Sequence, residues 1–544
     1  MNEKGSRRKY IFIAGGVMSG VGKGVASASL GAILKARGLK VTAVKIDPYI
    51  NVDAGTMNPV EHGEVFVTID GDETDQDIGN YERFLDEDIL KVNYMTTGRV
   101  YLSVIERERA LGYHGKTVEV VPHVPQEVIA RIKRAAEYHD ADVTLIEIGG
   151  TVGEYQNILF LEAVRMMQLE TPGSVLIGLV SYLPIPGNLG EMKTKPTQYA
   201  VRTLNGTGLH PDFIIARGSA ALDEPRKKKI AINCSIDVRD IVSAPDVDSI
   251  YRVPLSFEKE GVAERIIEKL GLKTKKVDLH AWEDLLERIH HPKGTIRVGI
   301  VSKYTLSGNF ALSDAYLSVV EAVRHAAWQL NVQPEIIWLD AEMLERSKAS
   351  LRAQNIQALI VPGGFGERGI EGKIGAITFA RENNIPFLGL CLGMQLAMVE
   401  YARNVMELSG AHTTEINKET PYPVISLMNE QSERMKQEDY GGTMRLGHFP
   451  CEITKGSRAE EVYGSTKVLE RHRHRYEGNP QYYDDFEKAG MRLSGMSPDR
   501  TLVEMIELPT HAYFMGSQFH PEYQSRPFHA HPLFVGLLKA GLAS

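Results

Sequence analysis

Cys391 sits in Gly389-Leu390-Cys391-Leu392-Gly393, between an apolar stretch at 385–388 and a helix-like stretch at 394–403. Gly-x-Cys-x-Gly at a strand-to-helix junction has the form of a nucleophile elbow, where the turn is too sharp for a Cβ on either side. The following helix would point its N-terminus at the sulfur and favour thiolate. A thiol needs a base. His520, in Gln518-Phe519-His520-Pro521-Glu522, offers one, with Glu522 two residues on to orient the imidazole. The plain alternative is a buried core cysteine. The paired glycines and the His-Pro-Glu run argue against it. Cys234, Cys391 and Cys451 are far apart and show no metal-ligand spacing. Three cysteines in 544 residues argue against a disulfide framework and suit a reducing, cytoplasmic chain.

A second constellation lies near the start. Gly15-Gly16-Val17-Met18-Ser19-Gly20-Val21-Gly22-Lys23-Gly24 falls between a strand candidate, 10–14, and a helix candidate, 25–37. In that setting backbone N–H groups and a helix N-terminus cradle phosphate oxygens, and Lys23 adds positive charge. The usual P-loop pattern is not met. Val17 stands at its first glycine, and Gly24 stands where a Mg²⁺-binding Ser or Thr follows the lysine. Carboxylates would have to hold the metal. Asp77 is a candidate, and so is Glu147, near the end of an apolar run where α/β sheets place ligands. The competing readings are a plain tight turn and solvated surface charges. Lys193-Thr194-Lys195-Pro196-Thr197-Gln198 gathers donors without an acidic residue. It suits a second polyanion or is a solvated basic loop, and composition does not choose.

These groups need a scaffold. Apolar runs at 10–14, 41–46, 142–148, 174–180 and 213–216 alternate with helical stretches, as in a parallel α/β sheet covered on both faces. Near 270–294 the texture changes to a basic run, a short helix at 282–290 and His291-Pro292-Lys293-Gly294. New strands follow at 296–301 and 358–361. The expected organisation is two α/β domains: a P-loop-like domain over 1–272, a linker over 273–294, and a second domain over 295–544. A net charge of −8 provides no global basic field for nucleic acid, so anionic ligands must be held by local loops. The basic N-terminus has no long apolar run after it, which predicts neither a signal peptide nor a membrane-spanning helix.

Read together, these segments resemble the CTP synthase family over nearly the whole chain. The likeness is carried by GGVMSGVGKG (15–24), KIDPYINVDAGTM (45–57), EHGEVFV (61–67), EIGGTVG (147–153), KTKPTQ (193–198), DVDSIYRVP (246–254), VPGGFGERG (361–369), GLCLGMQLA (389–397), RHRHRYE (471–477) and QFHPEY (518–523), in shared order and spacing. The resemblance implies a synthetase domain followed by a class I glutamine amidotransferase domain. It implies that ATP, UTP and glutamine are substrates, that Mg²⁺ is the cofactor, and that the homotetramer is cytoplasmic and binds neither nucleic acid nor membrane. Phosphorylation would make the C4 oxygen of UTP a good leaving group, and channelled ammonia would displace it.

The resemblance also implies roles. Lys23 and Lys45 would serve phosphoryl transfer, and Asp77 and Glu147 would hold Mg²⁺. Gly20, Val21, Gly22, Lys23, Gly24, Val25, Asp77, Asp246 and Val247 would line the ATP site. Ser19, Glu154, Gln156, Lys193, Thr194, Lys195, Pro196, Thr197, Gln198 and Lys229 would bind UTP or the inhibitor CTP. Cys391, His520 and Glu522 would form the triad. Backbone N–H groups at Gly364 and Leu392 would form the oxyanion hole. Gln395, Glu415 and Arg475 would hold glutamine, the arginine fork matching a carboxylate. His62 and Val65 match an ammonia gate, and Phe365 and Arg368 match a site for the activator GTP. Three segments depart from the family pattern: Glu154-Tyr155-Gln156 replaces Asp-Ile-Glu, Pro245 replaces a lysine, and 428–440 is shorter than the usual lid. Weaker or differently tuned GTP activation is expected. Two other functions compete with the ligase: an amidase fused to a nucleotide sensor, and an assembly protein that binds nucleotide without turnover.

Overall fold

The computed structural model describes residues 8–57, 62–187, 190–303, 306–307, 310–311, 313–346, 351, 354–364, 366–427 and 444–543. The chain divides into two compact units: Met1–Thr56 with Asp77–Leu286, and Met57–Gln76 with Glu287–Ser544.

The first unit is built on β1 (Lys9–Gly16) and β2 (Val41–Asp47). After β3 (Val65–Val67) and β4 (Glu73–Asp75), which belong to the second unit, come β5 (Tyr94–Thr96), β6 (Val143–Ile148), β7 (Val175–Tyr182), β8 (Phe213–Gly218) and β9 (Ile241–Pro245). They form one parallel seven-stranded sheet in the order β5-β2-β6-β1-β7-β8-β9. Every residue of β2 and β6 is buried, which explains their near-continuous apolar reading: helices cover both faces. Residues 273–286, expected in the linker, are docked here. Lys275 N donates to the Arg37 carbonyl at 2.9 Å, and Trp282 packs against Phe84 with ring centroids 5.4 Å apart. Burial of this indole outweighs the polar, linker-like texture around it.

The second unit carries β10 (Thr295–Ser302), β11 (Leu306–Ser307), β12 (Phe310–Ala311), β13 (Gln333–Asp340), β14 (Ala358–Val361), β15 (Phe387–Leu390), β16 (His412–Thr413), β17 (Pro423–Leu427), β18 (Arg445–Ile453), β19 (Lys467–His474), β20 (Tyr476–Gly478), β21 (Arg492–Met496), β22 (Val503–Glu507) and β23 (Phe514–Ser517). Its nine-stranded sheet runs β13-β10-β14-β15-β23-β22-β21-β18-β19. The strands from β13 to β23 are parallel and the remainder antiparallel. Phe387 and Phe514 stack at 4.4 Å across the β15–β23 pair, in the core beneath the elbow. The β3–β4 hairpin lies within the expected synthetase segment of the sequence but folds with this unit, because its anchors are here: Arg471 donates to the Val67 carbonyl at 3.1 Å and Arg473 to Glu73 at 2.7 Å.

Candidate active sites

In the first unit the C-terminal ends of β1, β2 and β6 converge, where open α/β sheets take ligands. Parallel register sets Lys45 of β2 and Ile13 of β1 beside Glu147 of β6. The Lys45 ammonium bonds Asp77, lies 3.1 Å from Glu147 and is 3.6 Å from Asp47. Tyr81 donates its hydroxyl to Glu147. Burial and the nearby Asp77 push the Glu147 carboxyl above its ordinary range, against the pull of Lys45 and Lys23. Lys23 opens the helix Lys23–Lys35 and reaches the Gly150 carbonyl at 2.9 Å. Burial lowers its affinity for the proton, and Glu147 opposes that.

The glycine after the lysine now has a reason. A Cβ on Gly24 would lie 2.0 Å from Asp77 Oδ1. Asp77, first residue of the helix Asp77–Leu85, fills the place of the side chain that a usual P-loop would put there. Asp77 and Glu147 are hard oxygen donors held close to one cation, Lys45. Among the described residues no group of three His, Cys, Asp or Glu side chains could hold a metal ion by itself. That donor set fits Mg²⁺, which binds one or two carboxylates and completes its shell with water and substrate phosphates.

Gly22, Val25, Asp246 and Val247 line a cavity of about 230 Å³, with Ile250 and Phe257 on its apolar wall. Arg217, which sequence reasoning missed, also lines it and pairs with Asp246 at 2.9 Å. Its signal was a position in the C-terminal half of β8. Ser19 and Gly20 are exposed on the loop after β1, and Val21 and Gly24 are buried. The donor patch at 193–198 is the start of the helix Lys195–Gly206 rather than a loop. Lys193 precedes it and Lys195 is its first residue, while Thr197 is buried against Ser181 at 2.8 Å and Gln198 bonds Thr194 at 3.1 Å. Pro196 occupies the first turn, where a missing N–H costs nothing. Lys229 is exposed on the helix Glu224–Cys234. Glu154 accepts the Thr151 N–H at 2.9 Å and an N–H of Gln156 at 2.8 Å.

In the second unit Cys391 is the left-handed link between β15 and the helix Leu392–Asn404, with φ 51° and ψ −105°. Such strain in a non-glycine residue concentrates at functional sites. The flanking glycines are obligatory. A Cβ on Gly393 would lie 1.9 Å from the Val361 carbonyl oxygen, and one on Gly389 would lie 2.7 Å from the Gly393 backbone. Adjacent strands bring the triad together: β15 leads to Cys391, β23 leads to His520, and Cys391 N donates to the Ser517 carbonyl at 2.7 Å. His520 Nδ1 and Glu522 Oε1 are 2.7 Å apart. Nε2 is buried, closes no hydrogen bond of ordinary geometry among the described residues, and has the Cys391 sulfur near it. Burial disfavours the charged ring, but Glu522 and the nearby Cys391 outweigh it and raise the His520 pKa to about 10.

Cys391, His520, Glu522 and Gly364 line one cavity of about 60 Å³, with Glu64 and Val65 from the 57–76 stretch. Leu392 heads the following helix, whose first N–H groups have no intrahelical acceptor. Gln395 donates to the Tyr476 carbonyl at 2.9 Å and to Gln518 at 3.2 Å. Burial raises the Glu415 carboxyl, with Lys303 and Arg475 pulling it back. Arg471 to Arg475 is not a surface loop: Arg471 is fully buried on β19. Lys303 and Lys373 are further buried lysines. Lys373 reaches the Pro362 carbonyl at 2.8 Å, and burial drives its pKa well down. Their signal was only a lysine inside an apolar run. His62 lies 3.8 Å from Asp75. Arg368 bonds the Lys303 carbonyl at 2.9 Å and Glu342 at 2.8 Å. Phe365 and the segment 428–440 lie outside the described residues.

Residues 9–272 match the family model described as CTP synthase N-terminus, and 311–540 match glutamine amidotransferase class-I. A CTP synthase of Prochlorococcus marinus strain MIT 9301 is 48% identical over 98% of both chains. That of Ruminiclostridium cellulolyticum is also 48% identical over 98% of both. The chain belongs to the CTP synthase family. The glutaminase domain of Trypanosoma brucei CTPS, solved with bound acivicin, is 36% identical and covers 46% of this chain and 94% of its own, at a TM-score of 0.42. For this CTP synthase family member the two constellations fall under separate family models, Lys23 and Glu147 under the first and Cys391 and His520 under the second. Among the described residues no helix is long and apolar enough to cross a membrane.

Proposed function

We propose that the chain converts UTP to CTP, with ATP activating the pyrimidine and glutamine supplying the nitrogen. The observation that carries this reading is the strained Cys391 elbow sharing a cavity with His520 and Glu522, in a chain that also bears the Lys23 phosphate cradle. The Cys391 sulfur attacks the side-chain amide carbon of glutamine. His520, already holding the thiol proton as an imidazolium, passes it to the departing ammonia. The N–H groups of Gly364 and Leu392 receive the oxyanion, which is usually the largest single contribution to such catalysis. Water, deprotonated by His520, then cleaves the thioester to glutamate. Gln395, Glu415 and Arg475 hold the substrate.

In the first unit Lys23 and Lys45 offset charge on the phosphoryl group moving from ATP to O4 of UTP, and ammonia displaces the phosphate from C4. Mg²⁺ held by Asp77 and Glu147 would neutralise phosphate charge. The apolar wall of Val25, Ile250 and Phe257 suits adenine, and Lys193, Lys195 and Lys229 suit the UTP triphosphate. Ammonia passes by way of His62 and Val65. CTP inhibits, GTP activates near Arg368 and Phe365, four copies assemble, and the enzyme works in the cytoplasm.

CTP formation from UTP, ATP and Mg²⁺, with glutamine or ammonium chloride, tests the proposal in wild type and Cys391→Ala. Both nitrogen sources should serve the wild type and only ammonium the variant. No CTP from either source in the wild type would refute the ligase reading.

A further inference from the structure

One wall of the Cys391 cavity comes from far up the chain: Glu64 and Val65 face it together with Tyr523 and Arg473. Several anchors hold that wall within the second unit. Glu64 accepts the Ser318 N–H at 3.1 Å and the Ser318 hydroxyl, at the start of the helix Leu317–Gln329. Arg471 and Arg473 tie down Val67 and Glu73. The Tyr523 hydroxyl donates to the Val65 carbonyl at 3.0 Å.

The last anchor differs from the others. The Tyr523 ring stacks on the His520 imidazole, centroids 5.1 Å apart and planes 17° apart, and also meets Phe66 in a T-shaped contact with centroids 5.1 Å apart. Tyr523 is 6% exposed, so water is a poor substitute for the Val65 carbonyl. It sits in the same short turn, Pro521–Gln524, as the Glu522 that bonds His520. The His520 ring is thus gripped at its edge by Glu522 and on its face by a ring that is itself held by Val65 and Phe66.

Resting on the glutaminase reading above, we propose that Tyr523 is a positioning residue, whose hydroxyl bond to Val65 transmits the placement of the Glu64–Val65 wall to His520. The full-length Tyr523→Phe, Glu64→Gln and double variants test it by steady-state glutamine hydrolysis alongside thermal melts. A lost hydrogen bond of ~1 kcal/mol converts to about a fivefold fall, expected in kcat with KM for glutamine changed less than about twofold. Tyr523→Phe keeps the ring and the fold. Glu64→Gln loosens the wall and should also lower kcat. The double variant should fall no further than the worse single one, since both act through one contact. A Tyr523→Phe kcat equal to wild type, a change confined to KM, or independent effects in the double variant would overturn the proposal. A wild type that hydrolyses no glutamine would instead overturn the glutaminase reading, and this proposal with it.

Discussion

Restoring the usual P-loop residue should damage this enzyme. Gly24→Ser puts back the hydroxyl that commonly follows the lysine. Its Cβ, however, would lie 2.0 Å from Asp77 Oδ1 and 2.6 Å from Asp77 Cγ. Ordinary contact needs more than 3 Å, so the carboxylate must retreat by over an ångström. It cannot do so freely, because Asp77 begins a helix and is bonded to Lys45. Breaking a hydrogen bond to a charged group costs about 1.5–3 kcal/mol, which converts to roughly a 10- to 150-fold fall in rate. Ammonium-dependent CTP formation at saturating UTP should show that loss in Gly24→Ser and in Gly24→Ala alike, since the Cβ and not the hydroxyl does the harm. Glutamine hydrolysis by the same preparations serves as the control for folding of the second unit. A Gly24→Ser rate within about twofold of wild type, a difference of only ~0.4 kcal/mol, would refute the claim that Asp77 occupies this place.

Two further outcomes follow from the second unit. Glu522→Gln should lower the His520 pKa from about 10 towards that of a free imidazole. A raised pKa in the folded state stabilises the protein fully below the unfolded value near 6.5 and loses that stabilisation as pH rises through about 10. Denaturation of wild type and Glu522→Gln should therefore differ most below pH ~6.5 and converge above pH ~10. A difference that grows with pH would reverse the sign and reject the pairing. Arg445 bridges Glu477 at 3.0 Å and Glu504 at 2.9 Å, and burial already pushes Glu477 to about 8. Arg445→Met strands both carboxyls and should cost about 3–5 kcal/mol in urea denaturation above pH ~8, where Glu477 is ionised, and less at lower pH, where it is already protonated in the folded chain.

The elbow and the cradle were legible as sequence because each depends on local backbone geometry. Gly389 and Gly393 bracket a turn that excludes a Cβ, and a glycine-rich run before a helix offers backbone N–H groups that suit an anion. His520 and Glu522 were legible because they lie two residues apart. The parallel strands showed as unbroken apolar runs because both of their faces are covered. Arg217, Lys303 and Lys373 were not legible, since their partners are distant in sequence and single cations carry no pattern.

Sequence by itself determined the inventory of side chains: a cysteine in a sharp turn, a histidine with a glutamate two residues on, and a lysine at the end of a glycine-rich loop. Tertiary structure decided what those groups face. Parallel register set Lys45 against Glu147, and Asp77 filled the space that Gly24 leaves. The stretch 57–76 joined the second unit, and its Glu64 and Val65 became a wall of the Cys391 cavity. Such arrangements arise from strand pairing and burial between residues far apart in the chain, and a local pattern holds no record of its distant partner.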